Sequence, residues 1–498
     1  MPRWATASIP ATAGSTSPPN WSPGRSVPWA SVRRRCPAAV VPALRPTDGG
    51  PVAHPPHTTH PRYDARGRAA HPTTPSPPAT PGVRMSPAPP WRRLPHGVPR
   101  VIGTSALSTL GALAMATALG KLVFDITGRE LDLGLIGLAE FLPTALLAPL
   151  VGPLADRHDR RKMVALGLAL EAAAAGGLAL YAATGPTRVW PIFALIVAYG
   201  IARAAVAPPL RALPADLAGS QLARVVPISS AAWQLAVIVG PVVGGFLYVG
   251  GADRPFWFAT VAVLLATALI LTAPDTRRAR PAAVAGAGPG GAFREAFEGL
   301  AFVRRTPILL GAISLDLFAV LFGGAIALLP ALAEKRLGVG ALGLGWLRAA
   351  GGMGAGATTL VLAWRPVSRR LGRVLLVAVA VFGLGTLVLA FTRSFAVAFV
   401  AIAVLSSADA ISVFIRGTLV PLVTPAAMRG RVLATENVFI GASNELGAFE
   451  SGVAGQLFGV VGGIALGGVA TLVVVVLWWW RFPGLRDVDR FEDVLAER

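Results

Sequence analysis

Long apolar segments recur along the chain from Val101 onward, separated by short polar stretches. About 20 apolar residues in a row are enough to cross a hydrocarbon core of roughly 30 Å as a helix. Lipid offers no hydrogen-bond partners to the backbone, so each segment is expected to be helical. We count twelve segments, at 101–124, 133–151, 163–183, 190–210, 226–249, 255–273, 307–330, 342–364, 374–391, 395–421, 433–458 and 461–480. The pattern predicts an all-α polytopic membrane protein with twelve transmembrane helices.

The basic stretch 274–306 separates the first six apolar segments from the last six. Within it, residues 293–304 are amphipathic, because Phe293, Phe297 and Leu300 fall on one helical face and charged residues fall opposite. This arrangement is typical of a helix that lies at a membrane surface. We therefore expect two six-helix bundles joined by a linker that carries such a helix.

A weak internal similarity also favours two equivalent halves. The loop after the second apolar segment, at 152–161, resembles the loop after the eighth, at 365–373, although the later loop lacks the acidic residue. The expected organisation is a tail at 1–95, bundles at 96–274 and 307–482, a linker at 275–306 and a C-terminal tail at 483–498.

The N-terminal stretch 1–95 holds about half of the 43 prolines and shows no apolar periodicity. Such a composition buries too little apolar surface to offset chain entropy, so we predict a disordered tail. Met85 lies shortly before the first apolar segment, and whether residues 1–84 belong to the natural protein stays open.

The formal net charge of +20 first suggests a nucleic-acid partner, so its position along the chain matters. Thirteen arginines lie within residues 1–100. In the rest of the chain, 22 Lys and Arg side chains fall in the even-numbered loops or after residue 480, whereas six fall in the odd-numbered loops. This asymmetry follows the positive-inside rule. It predicts a multi-pass protein of the cell (inner) membrane with both termini in the cytoplasm, and it explains the charge without nucleic acid.

The residues that an integral-membrane enzyme would need are scarce. Cys36 is the only cysteine, and His158 is the only histidine after Val101. Neither a zinc site nor a Ser/His nucleophile can be built from these residues in the membrane part. The P-loop pattern of ATPases is missing from the sequence. We therefore expect no metal, no cofactor and no enzymatic activity, and the pseudo-repeat favours a carrier over a channel of symmetric subunits.

The stretch GPLADRHDRRK at 152–162 carries the most specific signal in the sequence. It resembles the G-x-x-x-D-R-x-G-R-R signature of the major facilitator superfamily. Its physical content is a glycine that lets helices approach, an acid that suits a helix N-terminus and arginines that anchor in cytoplasmic headgroups. The residues that match as a candidate conformational latch are Gly152, Asp156, Arg157, Arg160 and Arg161.

The resemblance implies that the acid of this signature holds the outward-facing state by reaching toward the start of the eleventh helix, here residues 429–431. This sequence departs from the signature at Asp159, where the signature has glycine. We therefore expect a looser turn at this position.

A second resemblance lies in the fifth apolar segment, which is similar to the G-x-x-x-G-P-x-x-G-G antiporter motif of the same family. The matching residues are Gly240, Pro241, Gly244 and Gly245, whereas Ala236 replaces the first glycine. Close helix packing and a bend at proline are the physical content of the motif. The motif favours export.

The resemblance covers almost all of residues 101–498 and points to the enterobactin-exporter-like branch, often called transmembrane secretion effectors. Residues 124–128, 200–203, 314–324 and 439–447 carry it. It implies the facilitator fold, in which two bundles rock about a central cavity, usually driven by protons. The implied activity is proton-coupled export of a small amphipathic, siderophore- or drug-like molecule by a monomer. An importer or uniporter of the same fold stays open as the alternative.

Ionisable side chains within apolar helices are costly and usually face a cavity or a partner. The candidates for proton coupling or cavity lining are Glu140, Arg203, Asp316, Asp409, Arg416, Asn437, Asn444, Glu445 and Glu450. The preferred acids are Asp316, Glu140 and Glu450. Loss of water favours the protonated form of a carboxyl and the approach of a cation favours the ionised form, so such a group can bind and release a proton in turn. Arg203 and Arg416 are the candidate counter-charges.

Several neighbours of these candidates are open to two interpretations. Asp409 and Arg416 are seven residues apart, so they share a helical face and each is expected to pair with another helix. The polar face around Asn437 and Asn444 either lines the substrate path or joins helices. Glu171 lies in a helix expected to be peripheral, where we expect a structural partner for it.

Overall fold

The computed structural model describes residues 94–274 and 289–493, without the side chains of 148–150, 152–157, 289–293 and 295–296. The predicted tail at 1–95 and much of the linker therefore lie outside the described residues. The α-helices are α1 (Val98–Thr127), α2 (Glu130–Arg157), α3 (Arg160–Ala183), α4 (Trp190–Ala218), α5 (Leu222–Gly250), α6 (Arg254–Leu271), α7 (Pro289–Arg305), α8 (Pro307–Phe322), α9 (Leu329–Leu332), α10 (Gly340–Trp364), α11 (Leu371–Phe391), α12 (Phe395–Val423), α13 (Arg429–Arg481) and α14 (Pro483–Arg486).

Eight helical stretches in the described part of the chain are long and apolar enough to cross a membrane. Two of them, Trp190–Gly250 and Arg429–Arg481, are 61 and 53 residues long. At 1.5 Å per residue these lengths amount to about 90 and 80 Å, so each stretch provides two crossings. With α2 and α10, the crossings in the described part of the chain number twelve, as the sequence predicts.

The crossing predicted as one helix at 307–330 is broken. Helix α8 ends at Phe322, and a 3-10 turn over Gly324–Leu328, α9 and a π-helical turn over Ala333–Leu337 follow it. At Gly324 any side chain would overlap the backbone of Gly447. The double glycine Gly323-Gly324 therefore allows the backbones to touch, and the regular helix ends where they meet.

The last two predicted crossings are continuous as one helical run, α13, which turns at Gly459. Gly459 has φ 73° and ψ 167°, a conformation that favours glycine. Residues 429–458 and 460–481 therefore form two crossings without a loop between them.

Two six-helix bundles follow from which helices pack together. The N-terminal bundle consists of α1 to α6, in which α1 packs against α5 and α6, and α3 packs against α4 and α6. The C-terminal bundle consists of α8 with α9, α10, α11, α12 and the two parts of α13, and α12 packs against α10 and α11. The bundles meet along two helix pairs, α2 with α13 and α5 with α10.

Small residues bring helices close together, both between the bundles and within the N-terminal bundle. A side chain at Gly245 would overlap the backbone of Ala341 on α10, and one at Gly244 would overlap Ala114 on α1. A side chain at Gly134 would lie 2.8 Å from the Ala448 carbonyl oxygen on α13. The glycines of the antiporter-like motif therefore hold α5 tightly between α1 and α10.

The amphipathic stretch of the linker forms α7, whose Phe297 side chain is exposed. At Gly299, α7 packs against α13, and Glu298 accepts a hydrogen bond from Arg431 at 2.7 Å. The end of the chain also packs closely. The Gly372 amide donates to the Val488 carbonyl at 3.1 Å and Leu485 is buried, so residues 483–489 cap the start of α11.

Candidate functional site

A cavity of about 390 Å³ lies between the two bundles and receives side chains from both. We call it the central cavity. Its wall combines apolar residues with the polar or charged side chains of Glu140, Arg348, Ser406, Asp409, Asn444 and Glu445. A cavity with an apolar wall and a few convergent polar groups is the ordinary form of a small-molecule site.

The N-terminal bundle contributes one ion pair to this region. Glu140 on α2 lies 3.5 Å from the Nε of Arg203 on α4, and Arg203 also donates a hydrogen bond to the Tyr199 hydroxyl at 3.3 Å. Glu140 lines the central cavity, whereas Arg203 lies behind it. Arg203 thus has an acidic partner, and its role as a counter-charge in proton coupling stays a prediction.

The C-terminal bundle contributes charges that lack a partner. Among the described side chains, Asp409 on α12, Glu445 on α13 and Arg348 on α10 make no ion pair, and the Nε of Arg348 is buried without a hydrogen bond. Glu445 lies against Gly137 of α2, where a side chain in place of the glycine would meet its carboxylate. These groups are available to bind a substrate or a proton.

Asp316 does not line the central cavity. Its Oδ1 lies 2.6 Å from the Nη2 of Arg416, and both side chains are less than one tenth exposed. Arg416 also approaches Glu436 at 3.7 Å and donates a hydrogen bond to Ser412 at 3.4 Å. A buried cluster of Asp316, Arg416 and Glu436 therefore joins α8, α12 and α13. Arg416 pairs with other helices as expected from the sequence, whereas Asp409 forms no such pair among the described side chains.

Both interpretations left open by the sequence apply to the polar face of α13, because one part of it lines the central cavity and another part joins helices. Asn444 lines the central cavity, and its side-chain amide donates to the Ile440 carbonyl at 2.8 Å. Ser443 is fully buried, and Gly447 contacts the backbone of Val320 and Leu321 on α8. The neighbouring stripe of α13 thus joins helices.

Two further candidates on α13 lie outside this wall. Asn437 is exposed, and its side-chain amide donates to the Leu433 carbonyl at 2.8 Å. Glu450 accepts a hydrogen bond from Ser451 at 3.5 Å. Neither side chain belongs to the lining of the central cavity.

The latch-like loop is described only in part, since the side chains of Gly152, Asp156 and Arg157 lie outside the described residues. Arg160 binds Asp216 of α4 at 2.8 Å, and Arg161 donates to the Ala273 carbonyl, just after α6, at 2.8 Å. These arginines therefore tie α3 to its own bundle.

The turn before α3 is well formed, contrary to the expectation of a looser turn. Asp159 is the N-cap of α3, and its carboxylate accepts a hydrogen bond from the Arg161 amide at 3.0 Å. Its φ of −68° does not require glycine.

Ion pairs also join the bundles at the end opposite the basic loops, near residues 128–129 and 338–339; we call this the opposite end. Lys121 on α1 lies 2.8 Å from Glu334, and Lys335 lies 2.7 Å from Glu130 on α2. Lys335 also donates to the Gly128 carbonyl at 3.1 Å. The sequence pattern does not predict these contacts of Lys335, nor the place of Arg348 in the central cavity, because partners so distant along the chain leave no spacing pattern.

Comparison with known proteins agrees with this architecture. The family model described as Major Facilitator Superfamily matches residues 101–414. Macrolide efflux protein A of Streptococcus pyogenes is 31% identical over 145 residues, which are 29% of this chain and 36% of that protein. The uncharacterised MFS-type transporter YfiS of Bacillus subtilis is 23% identical over 277 residues, or 55% of this chain and 65% of that protein. The chain thus spans about a third of the first of these relatives and just under two thirds of the second.

Among solved structures, the D-xylose–proton symporter superposes with a TM-score of 0.58 at 15% identity, over 77% of this chain and 96% of that chain. At this identity the likeness concerns the fold alone. Because the family model covers more than half of the sequence and the two-bundle fold matches a solved transporter over nearly its full length, this chain belongs to the Major Facilitator Superfamily.

Proposed function

We propose that this protein is a proton-coupled secondary transporter that exports a small amphipathic molecule by alternating access. The observation that carries the proposal is the central cavity, which is lined from both bundles and holds Glu140, Asp409 and Glu445. When two bundles rock about a site between them, the site is exposed to one side of the membrane at a time. The structure has the bundles joined at the opposite end by Lys121–Glu334 and Lys335–Glu130.

The charge of the cavity wall favours a cationic substrate. Among the described residues, three carboxylates line the central cavity, and Arg348 is the one basic side chain in the same wall. A siderophore-like anion would meet like charges in a medium of low dielectric constant, whereas a lipophilic amine would be attracted. The printed name of the streptococcal relative, a macrolide efflux protein, agrees with a drug-like substrate and with export. We therefore propose a drug-like cation, in preference to a siderophore, as the substrate.

Proton coupling is proposed from the unpaired acids. A carboxylate in a dry cavity must be protonated, paired or bound to a cation, because an isolated buried charge costs several kcal/mol. Asp409 and Glu445 have no ion-pair partner among the described side chains. A proton and a cationic substrate would compete for the same carboxylates, and this competition is the simplest form of exchange. Asp316 belongs to the coupling set in this proposal through its bond to Arg416.

Orientation and direction rest on sequence features. The excess of basic residues in the even-numbered loops supports cytoplasmic termini in a cell (inner) membrane. The Gly240–Gly245 motif packs α5 closely and supports an antiporter. Asp156 is proposed as the latch of the outward-facing state. An importer or uniporter is the competing function, since the D-xylose–proton symporter shares the fold.

Accumulation of a compound panel in cells with and without the gene tests this function. The panel contains macrolides, lipophilic cationic dyes and siderophores, each measured with and without an uncoupler. We expect lower accumulation of cationic compounds in cells that carry the gene, and we expect the uncoupler to abolish the difference. Higher accumulation with the gene would show import, and a difference that survives the uncoupler would contradict proton coupling.

A further inference from the structure

A second cavity, of about 310 Å³, lies inside the N-terminal bundle and shares no lining residue with the central cavity. We call it the side cavity. It is bounded by the start of α1, the end of α4 and the start of α5, and therefore lies toward the basic loops. Its wall carries hydroxyl groups from α1 and α5 together with Glu171, Arg203 and Arg211. A wall this polar inside a membrane bundle suits water or a small hydrophilic ion.

Glu171 on α3 is the unexplained group of this cavity. Its side chain is only 1% exposed, and neither carboxylate oxygen has a hydrogen-bond partner among the described residues. The structural partner expected from the sequence is therefore not found in the described part of the chain. A buried carboxyl without any partner is stable when it carries a proton or meets a cation. The Ser229 hydroxyl, in the same wall, is also buried without a partner.

The charged groups around Glu171 come from two helices. Arg203 and Tyr199 face it from α4, and Glu140 acts on it from α2. Helix α6, which packs on α3 from the other side, carries no ionisable side chain after Arg254. On the side of the cavity, α1 and α5 present hydroxyl groups and Trp233, and Arg211 is exposed. Arg203 is therefore the cation best placed to form an ion pair with Glu171.

Arg203 also connects the two cavities. It lines the side cavity, while its ion-pair partner Glu140, 3.5 Å away, lines the central cavity. Both side chains are about two fifths exposed or less, so the pair is neither locked in a dry core nor fully solvated. Glu171 lies in the same wall of the side cavity as Arg203, so this arginine has one acid near it in each cavity.

We propose that Glu171 is a proton-binding site that releases its proton to the side cavity, and that Arg203 moves between Glu140 and Glu171 and so links this site to the central cavity. While Arg203 pairs with Glu140, Glu171 holds a proton that reached it from the central cavity by way of Glu140. When Glu140 is neutralised by a proton or engaged by a cationic substrate, Arg203 moves to Glu171. The O–H bond of Glu171 then breaks, the proton passes to water in the side cavity, and the carboxylate pairs with Arg203. The inference deepens the proposed function and, for its role in coupling, rests on it.

Carbodiimide labelling followed by mass spectrometry tests this site without any need for transport. A hydrophobic carbodiimide modifies protonated carboxyls in apolar surroundings and spares ionised ones. In the wild-type protein in detergent, we expect Glu171 to be labelled, and labelling to fall about tenfold per pH unit above its titration point. Absence of labelling at every pH from about 5 to 9 would overturn the assignment, since an unpartnered buried carboxyl must be neutral to be stable.

Three variants test the link through Arg203. Glu140→Gln frees Arg203, and an arginine at ion-pair distance favours the ionised carboxylate by an order of magnitude or more, so Glu171 labelling should fall about tenfold at fixed pH. Arg203→Gln should extend labelling to higher pH. Arg211→Gln is the matched control, because it removes the same charge from an exposed position of the same wall, and it should leave labelling within about twofold. Equal labelling of Glu171 in the wild type, Glu140→Gln and Arg203→Gln would refute the link.

A transport arm separates failure of the site from failure of the function. In proteoliposomes, Glu171→Gln should abolish accumulation driven by a pH gradient and keep downhill movement of a cationic dye. If the wild type moves no dye while labelling follows the pattern above, the proposed function fails and the protonation site stands. If the wild type concentrates the dye and Glu171→Gln does so equally, the site has no part in coupling and the inference fails.

Discussion

At the scale of single residues, the strongest electrostatic feature is the buried cluster of Asp316, Arg416 and Glu436. The short bond between Asp316 and Arg416, at 2.6 Å with both side chains nearly covered, places one positive and two negative groups among apolar helices. Breaking a buried pair by removing one partner typically costs about 3–5 kcal/mol, because the other charge is left uncompensated. The cluster therefore stabilises the C-terminal bundle only as long as it is complete.

Asp316→Asn should lower the thermal stability of the detergent-solubilised protein strongly, because Arg416 then keeps only the longer contact to Glu436. Arg416→Gln should do the same, and the double variant should be clearly less destabilised than the sum of the two singles, by about 1 kcal/mol or more. Asp487→Asn is the matched control, since Asp487 pairs with Arg486 at the surface and surface pairs contribute little. Additive effects of Asp316→Asn and Arg416→Gln would show that the two side chains act independently.

At the scale of helices, close backbone contacts determine how the bundles meet. Helix α5 lies between α1 and α10, with Gly244 against one and Gly245 against the other. Since a methyl group at Gly245 would overlap the backbone of Ala341, the contact between α5 and α10 can form only with glycine at this position. The same reasoning holds for Gly134 between α2 and α13.

Gly245→Ala should therefore disfavour the conformation that is closed at the opposite end while leaving each bundle folded. The distance between spin labels at Arg188→Cys and Arg393→Cys, in a Cys36→Ser background, reports this closure, because the two positions lie in exposed loops of different bundles at that end. We expect a longer mean distance in Gly245→Ala. Gly417→Ala is the control, because nothing lies within 4 Å of a methyl group there, and its distance distribution should match that of the parent.

The ion pairs of the opposite end act on the same equilibrium. Lys335→Gln removes the contacts to Glu130 and to the Gly128 carbonyl. Partly exposed pairs contribute up to about 1 kcal/mol, so the ratio of open to closed molecules should rise up to about fivefold.

The same spin-label pair measures this ratio, and Glu130→Gln added to Lys335→Gln should have little further effect. Arg294→Gln, which removes a pair within α7 alone, provides the comparison. An equal shift in Arg294→Gln would mean that the pairs between bundles have no special part in closure.

At the scale of the whole molecule, the sequence predicts the twelve crossings and their division, because apolar length and basic loops are local signals. The break after Phe322 and the turn at Gly459 depend on which backbones come into contact. The pattern of apolar residues over 307–330 or 433–480 therefore does not predict them. Asp316 and Asp409 look alike in sequence, yet one is paired in the bundle and the other lines the central cavity. Only the relative rotation of α8 and α12 distinguishes them.

The central claim is proton-coupled transport through the cavity between the bundles. The most direct measurement is uptake of a lipophilic cationic dye into proteoliposomes under an imposed pH gradient. We predict that the wild type concentrates the dye and loses it when a protonophore collapses the gradient. Glu445→Gln, which neutralises an unpaired carboxylate of the central cavity, should keep downhill movement but lose accumulation, whereas Glu492→Gln at the exposed C-terminal end should behave as wild type. Undiminished accumulation by Glu445→Gln, or accumulation by the wild type without a pH gradient, would contradict the account.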